Sequence, residues 1–323
     1  MATIEAKAGT ILDIANSIAP DGNLLAVAET LYKEIPVLQD AVWKEANDLT
    51  QHRYARQAKL PKSSHIKFNK GVGSDLGYNS QHFTRLSGRG NRPHVDARVI
   101  DMSPSPNQTL MDETRKSVMG IGQDFANDMF YSSSKADAEA FDGIAEFTST
   151  LGDQVISAGG TSSTGNTSMY IVCWDLTNGA YMAYPRGSKA GIKFTDYGKV
   201  RVEDEDGNAY QAYEHEVEVT GGLCLADDRA VARICNINVS NPTAESFDEN
   251  DVILLLNRMP QMLRKKAVAY VSRNLMAAIE MRANAKDNVY YSKAEVFGGS
   301  VPSIRGLPIK LDESISENED VVA

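Results

Sequence analysis

The chain has 323 residues, 42% of them hydrophobic and 24% charged, which suits one large or two modest globular domains. Its formal net charge of −10 repels phosphate on average and argues against a protein whose work is gripping duplex DNA, since that affinity comes largely from Lys and Arg contacts to phosphate. Cys173, Cys224 and Cys235 offer neither the even count of a disulfide framework nor the paired spacing of a zinc site, and read as buried free thiols. The N-terminus lacks the basic cluster and apolar core of a secretory signal, and no apolar stretch approaches the length of a membrane span. The expectation is a soluble product made in a cytoplasm.

Residues 1–46 read as short helices. Asn23 can cap a segment with Leu24, Val27, Ala28 and Leu31 at helical spacing, Pro36 interrupts the helical pattern, and Val42 and Trp43 continue the apolar thread. So few residues cannot close a core of their own, and this arm must lie on the rest of the chain or on a neighbour.

Residues 47–106 change character. From Gln51 to Ile100 ten basic residues (Arg53, Arg56, Lys59, Lys62, Lys67, Lys70, Arg85, Arg89, Arg92 and Arg98) face only Asp75 and Asp96, so this stretch carries about +8 and leaves −18 on the remainder. Four of the five histidines (His52, His65, His82, His94) are here, with Gly71, Gly73, Gly77, Gly88 and Gly90. His65-Ile66-Lys67-Phe68 and His82-Phe83-Thr84-Arg85 read as two strands joined by a glycine-rich bend. A long, basic, weakly hydrophobic hairpin cannot bury itself. Docking on an acidic partner surface is the favoured reading, ahead of a solvated linker or a nucleic-acid contact.

A long helix comes next. Thr109-Leu110-Met111-Asp112 resembles a capping box, and Met111, Val118, Ile121, Phe125 and Met129 form an apolar stripe along about six turns. A shorter helix around 138–147 carries Phe141, Ile144 and Phe147. Strands are expected at 168–174 and 180–184, with Thr177-Asn178-Gly179 as the turn between them. Strands at 199–203 and 209–219 flank Asp206-Gly207, a hairpin signal, and 230–239 is a further strand. Residues 248–264 read as helical, 267–272 as a buried strand and 273–284 as a helix. Strands at 301–305 and 307–311 surround Gly306, and an acidic tail with Asp312, Glu313, Glu317, Glu319 and Asp320 ends the chain.

Signals for chemistry do not assemble. Gly71-Val72-Gly73-Ser74-Asp75-Leu76-Gly77 has the wrong last spacing for a dinucleotide loop and no strand–helix frame. Residues 157–165 are Gly/Ser/Thr-rich without a P-loop lysine. Asp204, Asp206 and Asn208 alternate as in a calcium loop, yet Ala209 replaces the turn glycine and His215 the closing Glu. His215, between Glu214 and Glu216, meets no nucleophile elbow and no zincin helix. Asp227-Asp228-Arg229 reads as an acidic turn, solvated or paired in an interface, and the other carboxylates read as surface groups. No catalytic, cofactor-binding or metal-ligating residue is expected, and the chain is read as no enzyme.

Several strings, in their order, resemble those of tailed-bacteriophage major capsid proteins of the HK97-like fold. They are Met129-Phe130-Tyr131 with Phe141-Asp142-Gly143-Ile144-Ala145, Val155-Ile156-Ser157-Ala158-Gly159-Gly160-Thr161 with Thr167–Val172, and Ala183-Tyr184-Pro185-Arg186-Gly187 with Ala190-Gly191. Leu225 with Asp228-Arg229-Ala230-Val231-Ala232-Arg233-Ile234-Cys235-Asn236-Ile237, then Val268-Ala269-Tyr270-Val271-Ser272-Arg273 and Arg305-Gly306-Leu307-Pro308-Ile309, complete the set. The likeness runs from about Thr109 to the C-terminus and is architectural before it. In the prototype the Gly-Leu-Pro strand precedes the long peripheral strands, whereas here it comes after them.

The resemblance implies an α+β fold with an N-terminal arm (1–46), an extended β-hairpin loop (47–106), a peripheral domain with the spine helix (107–242) and an axial domain (243–323). It implies self-assembly as hexamers and pentamers into an icosahedral virion shell enclosing double-stranded DNA without sequence-specific binding and without a membrane, in the host bacterial cytoplasm. A separate scaffolding protein, a portal and a cement protein are the implied partners. An encapsulin-like compartment shell of the same fold is the main alternative. A hydrolase built from distant residues and a tail or portal-associated structural protein are two others.

Overall fold

The computed structural model describes residues 35–161, 164–187, 192–204, 207–239, 248–283, 291–296 and 299–322. The arm helix expected over 23–31, Ala190-Gly191, Asp206 of the expected turn and residue 284 lie outside these. The elements are α1 (Pro36–Asp40), β1 (Trp43–Glu45), β2 (Gln51–Lys59), β3 (Tyr78–Arg85), β4 (Ser87–Asn91), β5 (His94–Asp96), α2 (Ala97–Asp101) and α3 (Pro106–Tyr131). Then come α4 (Ile144–Phe147), β6 (Val155–Ser157), β7 (Asn166–Cys173), β8 (Ala180–Tyr184), β9 (Ile192–Glu203), β10 (Ala209–Leu225) and β11 (Val231–Asn238). The last are α5 (Glu249–Arg258), α6 (Gln261–Arg264), β12 (Ala267–Val271), α7 (Arg273–Ala283), β13 (Tyr291–Val296), β14 (Gly299–Ile304) and β15 (Leu307–Leu311). No helix among the described residues is long and apolar enough to cross a membrane.

The chain divides into two compact units. The larger comprises Glu34–Ser87, Asn127–Ala190 and Gly221–Ala323. Its core is a seven-stranded sheet in the order β13-β14-β15-β12-β7-β11-β6. β7 lies between antiparallel β11 and β12, and every one of its residues is buried. That explains why it reads as a continuous run without polar alternation. Phe130 stands against Tyr170 and Tyr270, with ring centroids 5.3 and 6.2 Å apart.

β7 and β8 do not form the hairpin that their turn suggests. Both edges of β7 are occupied, and β8 instead pairs in parallel with β1 and antiparallel with residues 222–225 of β10. The turn between them is tight: a Cβ on Gly179 would sit 2.5 Å from the Cys173 carbonyl oxygen. The expected helix around 138–147 shrinks to α4. Before it the chain loops, with Asp142 accepting from Ser134 N at 2.8 Å and Gly143 N donating to Ser132 O at 2.7 Å. The helix expected over 248–264 breaks into α5 and α6 at Pro260.

Among the described residues, the smaller unit comprises Gly88–Ala126 and the part of 191–220 that is described. β9 and β10 form its antiparallel ribbon, with a register shift at Glu214/His215, and β5 pairs with β10. Here α3 begins at Pro106, three residues before the expected cap. Thr109 is inside the helix and donates to Ser105 O at 3.1 Å. The apolar stripe is divided: Met111 and Val118 are exposed, while Ile121 and Phe125 are buried. His215 is buried, burial lowers its pKa, and its Nε2 has no partner among the described residues. All three cysteines are free and buried, and desolvation pushes Cys173 to about 11 and Cys224 to about 12.

The acidic tail is not a solvated one. Glu319 is buried, and its carboxylate pairs with the Arg233 guanidinium at 2.8 Å. It also accepts from Tyr131 OH at 2.5 Å, from Tyr170 OH at 3.0 Å and from Ser168 Oγ. Arg233 Nε donates to Ser168 Oγ at 2.9 Å, so both sides of the pair are hydrogen-bonded. Asn236, in the left-handed region at φ 58°, exchanges two 2.9 Å bonds with the Val322 backbone. Asp312 is fully buried and accepts from Val37 N at 3.2 Å and Ser314 N at 3.0 Å, which fastens α1 to the sheet. Asp40 completes this attachment through Lys310 at 2.6 Å and Tyr270 OH at 2.8 Å.

Glu319→Ala strands a buried guanidinium and lowers stability by about 3–5 kcal/mol, whereas Arg233→Met combined with Glu319→Leu restores most of the loss. Thermal unfolding reads both, and an unchanged midpoint for Glu319→Ala would show that the tail contributes nothing. Burial raises the Asp312 carboxyl to about 6. The fold therefore binds this proton more tightly than the unfolded chain, a contribution complete below pH ~4 and lost as pH rises through ~6. Asp312→Asn removes that dependence, so its stability relative to the parent improves from pH 4.5 to pH 7.5. A difference independent of pH contradicts the assignment.

Candidate assembly surface

The basic segment forms a two-stranded ribbon, β2 with β3, whose partners run from Gln51↔Arg85 to Lys59↔Tyr78. The first strand is 51–59, not the expected 65–68, because the β-prone alternation of His52, Tyr54 and Arg56 is the one that finds a surface to cover. His52 is buried and points Nε2 at Tyr181 OH, 3.1 Å away, while Nδ1 accepts from Asn47 N at 3.2 Å. Burial, then the Lys44 charge, lowers its pKa, so the imidazole stays neutral. Tyr54 stacks between His52 and His82, at 6.2 and 5.9 Å.

The root of the ribbon is tied to the end of β10. Arg56 Nε donates to Leu225 O at 2.8 Å and Nη1 to Asp228 at 2.5 Å, and Thr84 Oγ1 donates to Leu223 O at 3.0 Å. Gly222 lets the two backbones meet, since a Cβ there would lie 2.3 Å from the Arg85 carbonyl oxygen. Asp228 pairs with Arg56 within the chain while its side chain stays 73% exposed, in keeping with its reading as a solvated acid.

Beyond the ribbon, residues 60–77 make a tongue. Asp75 closes its neck by accepting from Lys59 Nζ at 2.6 Å and Lys62 N at 2.8 Å. These bonds, the Lys59 one first, hold its carboxyl below the usual range. At the apex Lys70 N donates to Lys67 O at 3.2 Å, with Asn69 left-handed at φ 59°. This turn leaves Phe68 99% exposed, and Leu60, Ile66, Val72 and Leu76 are exposed as well. Such clustered apolar exposure marks an interaction surface.

Of the ten cations counted in the sequence, Arg53, Arg56, Lys59, Arg92 and Arg98 pair with Asp48, Asp228, Asp75, Glu214 and Asp96. Arg85 donates to Ala138 O. The side chains of Lys62, Lys67 and Lys70 make no ion pair among the described residues. Asp204, the first acid of the calcium-like pattern, closes a turn instead, accepting from Asn208 N at 2.7 Å. Among the described residues no group of three His, Cys, Asp or Glu is placed to hold a metal. The Arg233–Glu319 pair escaped sequence reading, although an arginine between Ala232 and Ile234 of an apolar strand was its signal.

Gly222→Ala forces β3 and β10 apart and costs about 1–3 kcal/mol. Hydrogen exchange at Thr84–Leu86 then accelerates; protection equal to that of the parent would show that the close approach is not needed.

A chain of the near-atomic-resolution structure of bacteriophage Epsilon15 superposes on this chain with a TM-score of 0.73 at 22% identity, over 100% of this chain and 98% of that one. The capsid of bacteriophage JBD30 gives 0.51 at 10% identity, over 92% and 99%. The SrpI encapsulin of Synechococcus elongatus PCC 7942 gives 0.47 at 10% identity, over 73% and 98%, too low to carry an argument. The fold is therefore the HK97-like capsid fold. No curated protein matches. Residues 19–323 match the family model described as major capsid protein GP7, and over that span the chain belongs to this family of phage shell proteins.

Proposed function

We propose that many copies of this chain close into an icosahedral shell around double-stranded DNA, arranged as hexamers and pentamers, with no catalytic role. The observation that carries this reading is the tongue. A rigid, well-rooted ribbon holds five exposed apolar side chains and three unpaired lysines in water, which makes sense only if another surface covers them. The tongue lies across an acidic patch of an adjacent copy, and the −18 carried by the rest of the chain supplies such patches. A net-acidic wall also avoids adhering to the packaged genome.

In this reading 1–46 is the arm, 47–106 the extended loop, 107–242 the peripheral domain and 243–323 the axial domain. Assembly takes place in the host bacterial cytoplasm with a separate scaffolding protein, a portal and a cement protein. No observation favours a cellular compartment shell over a virion.

Replacing residues 63–74 with a short Gly-Ser linker leaves the root, the core and the unfolding midpoint as they are, and abolishes closed particles in negative-stain microscopy. Particles of normal yield from this variant would end the docking role given to the tongue, and failure of the unaltered chain to form particles would end the shell reading.

A further inference from the structure

We propose that the tongue tip of one copy seats Phe68 in a specific receptor, the concavity at the ribbon root of the next copy. This rests on the shell reading above and names the surface that the tongue takes. The concavity has a volume of about 410 Å3 and is lined by Phe83, Ala138, Ala140, Phe141, Phe147 and Asp142, among others. Phe141 is buried, but Phe83 is 64% and Phe147 37% exposed, so apolar surface faces solvent where the ribbon meets the loop before α4. An aromatic ring inserted there gains edge or offset contacts to two phenylalanines as well as burial.

Charge matches the same pairing. Phe68 stands between Lys67 and Lys70, neither of them paired among the described residues. At the receptor, Asp142 lines the concavity, Asp137 and Glu139 are exposed in the same segment, and the exposed Lys135 there is paired with Glu146. The two cations of the lining are already engaged, Arg56 with Asp228 and Arg85 with the Ala138 carbonyl. The receptor therefore offers apolar walls with an acidic rim to an apolar knob with basic shoulders. Tip and receptor are different surfaces of one chain, so the contact is heterologous, and repeating it links successive copies head to tail, as a ring of copies requires.

The test uses full-length chain assembled into particles. Lys70→Cys, which keeps Phe68, is combined with Ala138→Cys and treated with a short bismaleimide; the native thiols are buried. A ladder of covalent multimers appears on a denaturing gel from the double variant, covalent dimers and nothing larger appear from mixed single-variant copies, and neither single variant alone cross-links. Lys70→Cys combined with Met262→Cys, an exposed site elsewhere, gives no ladder. In parallel, Phe68→Ala lowers the assembled fraction at least tenfold and Phe68→Leu does so less. Particles that form without a ladder, an equal ladder at position 262, or capture of a different protein by the tip overturn the Phe68 receptor and leave the shell reading standing. Failure of the unaltered chain to form particles overturns both.

Discussion

A ribbon can hold a phenylalanine out in water only if its other end is fastened more firmly than the solvent pulls. Here that fastening is the backbone approach at Gly222, where the Arg85 carbonyl comes closer than any side chain would allow. Around it Thr84 and Arg56 bind the carbonyls of Leu223 and Leu225, and the His52, Tyr54, Tyr181 cluster fills the space beneath. None of these contacts reaches past the ribbon into the tongue, where Asp75 closes the neck. Rigidity at the root and lack of cover at the tip are two consequences of one arrangement. Preorganisation of this kind reduces the ordering entropy that a partner must overcome on docking.

The opposite treatment is given to the C-terminal tail. Its carboxylates could have stayed in water, yet Glu319 and Asp312 are taken into the larger unit. Glu319 stays compensated because Arg233, Tyr131, Tyr170 and Ser168 surround it with donors, and a buried pair is tolerable only under that condition. Asp312 lacks a cation and relies on two backbone N–H groups, which is why desolvation dominates and its pKa rises. The tail thus locks α1, β7 and β11 together while the tongue remains free. Stability inside one copy and affinity between copies are assigned to different parts of the chain.

Sequence legibility tracks the range of the forces involved. The long helix, β12 and α7 are written in local periodicity and stand near their expected bounds, whereas the β9–β10 hairpin is found at its turn but extends to Ile192 and Leu225, well beyond the expected 199 and 219. The tongue is visible as a charge imbalance and as a lack of Leu and Ile. The hidden features depend on partners far along the chain. Residues 65–68 have strand character but find no partner, whereas 51–59 does. The turn at 177–179 promises a hairpin, but β7 already has two neighbours. Glu319 looks like a surface acid until Arg233, 86 residues away, is placed beside it. The first half of the helical stripe is exposed although its pattern matches the buried half. Periodicity reports which face is apolar, not what lies against it.

The charge pattern decides what kind of contact the tongue makes. Exposed lysines meeting exposed acids add little free energy in salt water, and they serve mainly to steer and orient. Burying a large apolar side chain such as Phe68 is worth roughly 1.5–3 kcal/mol, so the knob supplies most of the holding strength and the lysines supply the bearing. One such contact is too weak to keep two copies together against the entropy of association. A ring or shell in which each copy both gives and receives a tip turns later contacts into intramolecular ones at high effective concentration. Weak individual contacts let a misplaced copy leave before closure, and closure makes the set persistent. A tongue tip that bound tightly on its own would lose this correction, which gives a physical reason for a solitary aromatic flanked by solvated cations in place of a broad apolar strand.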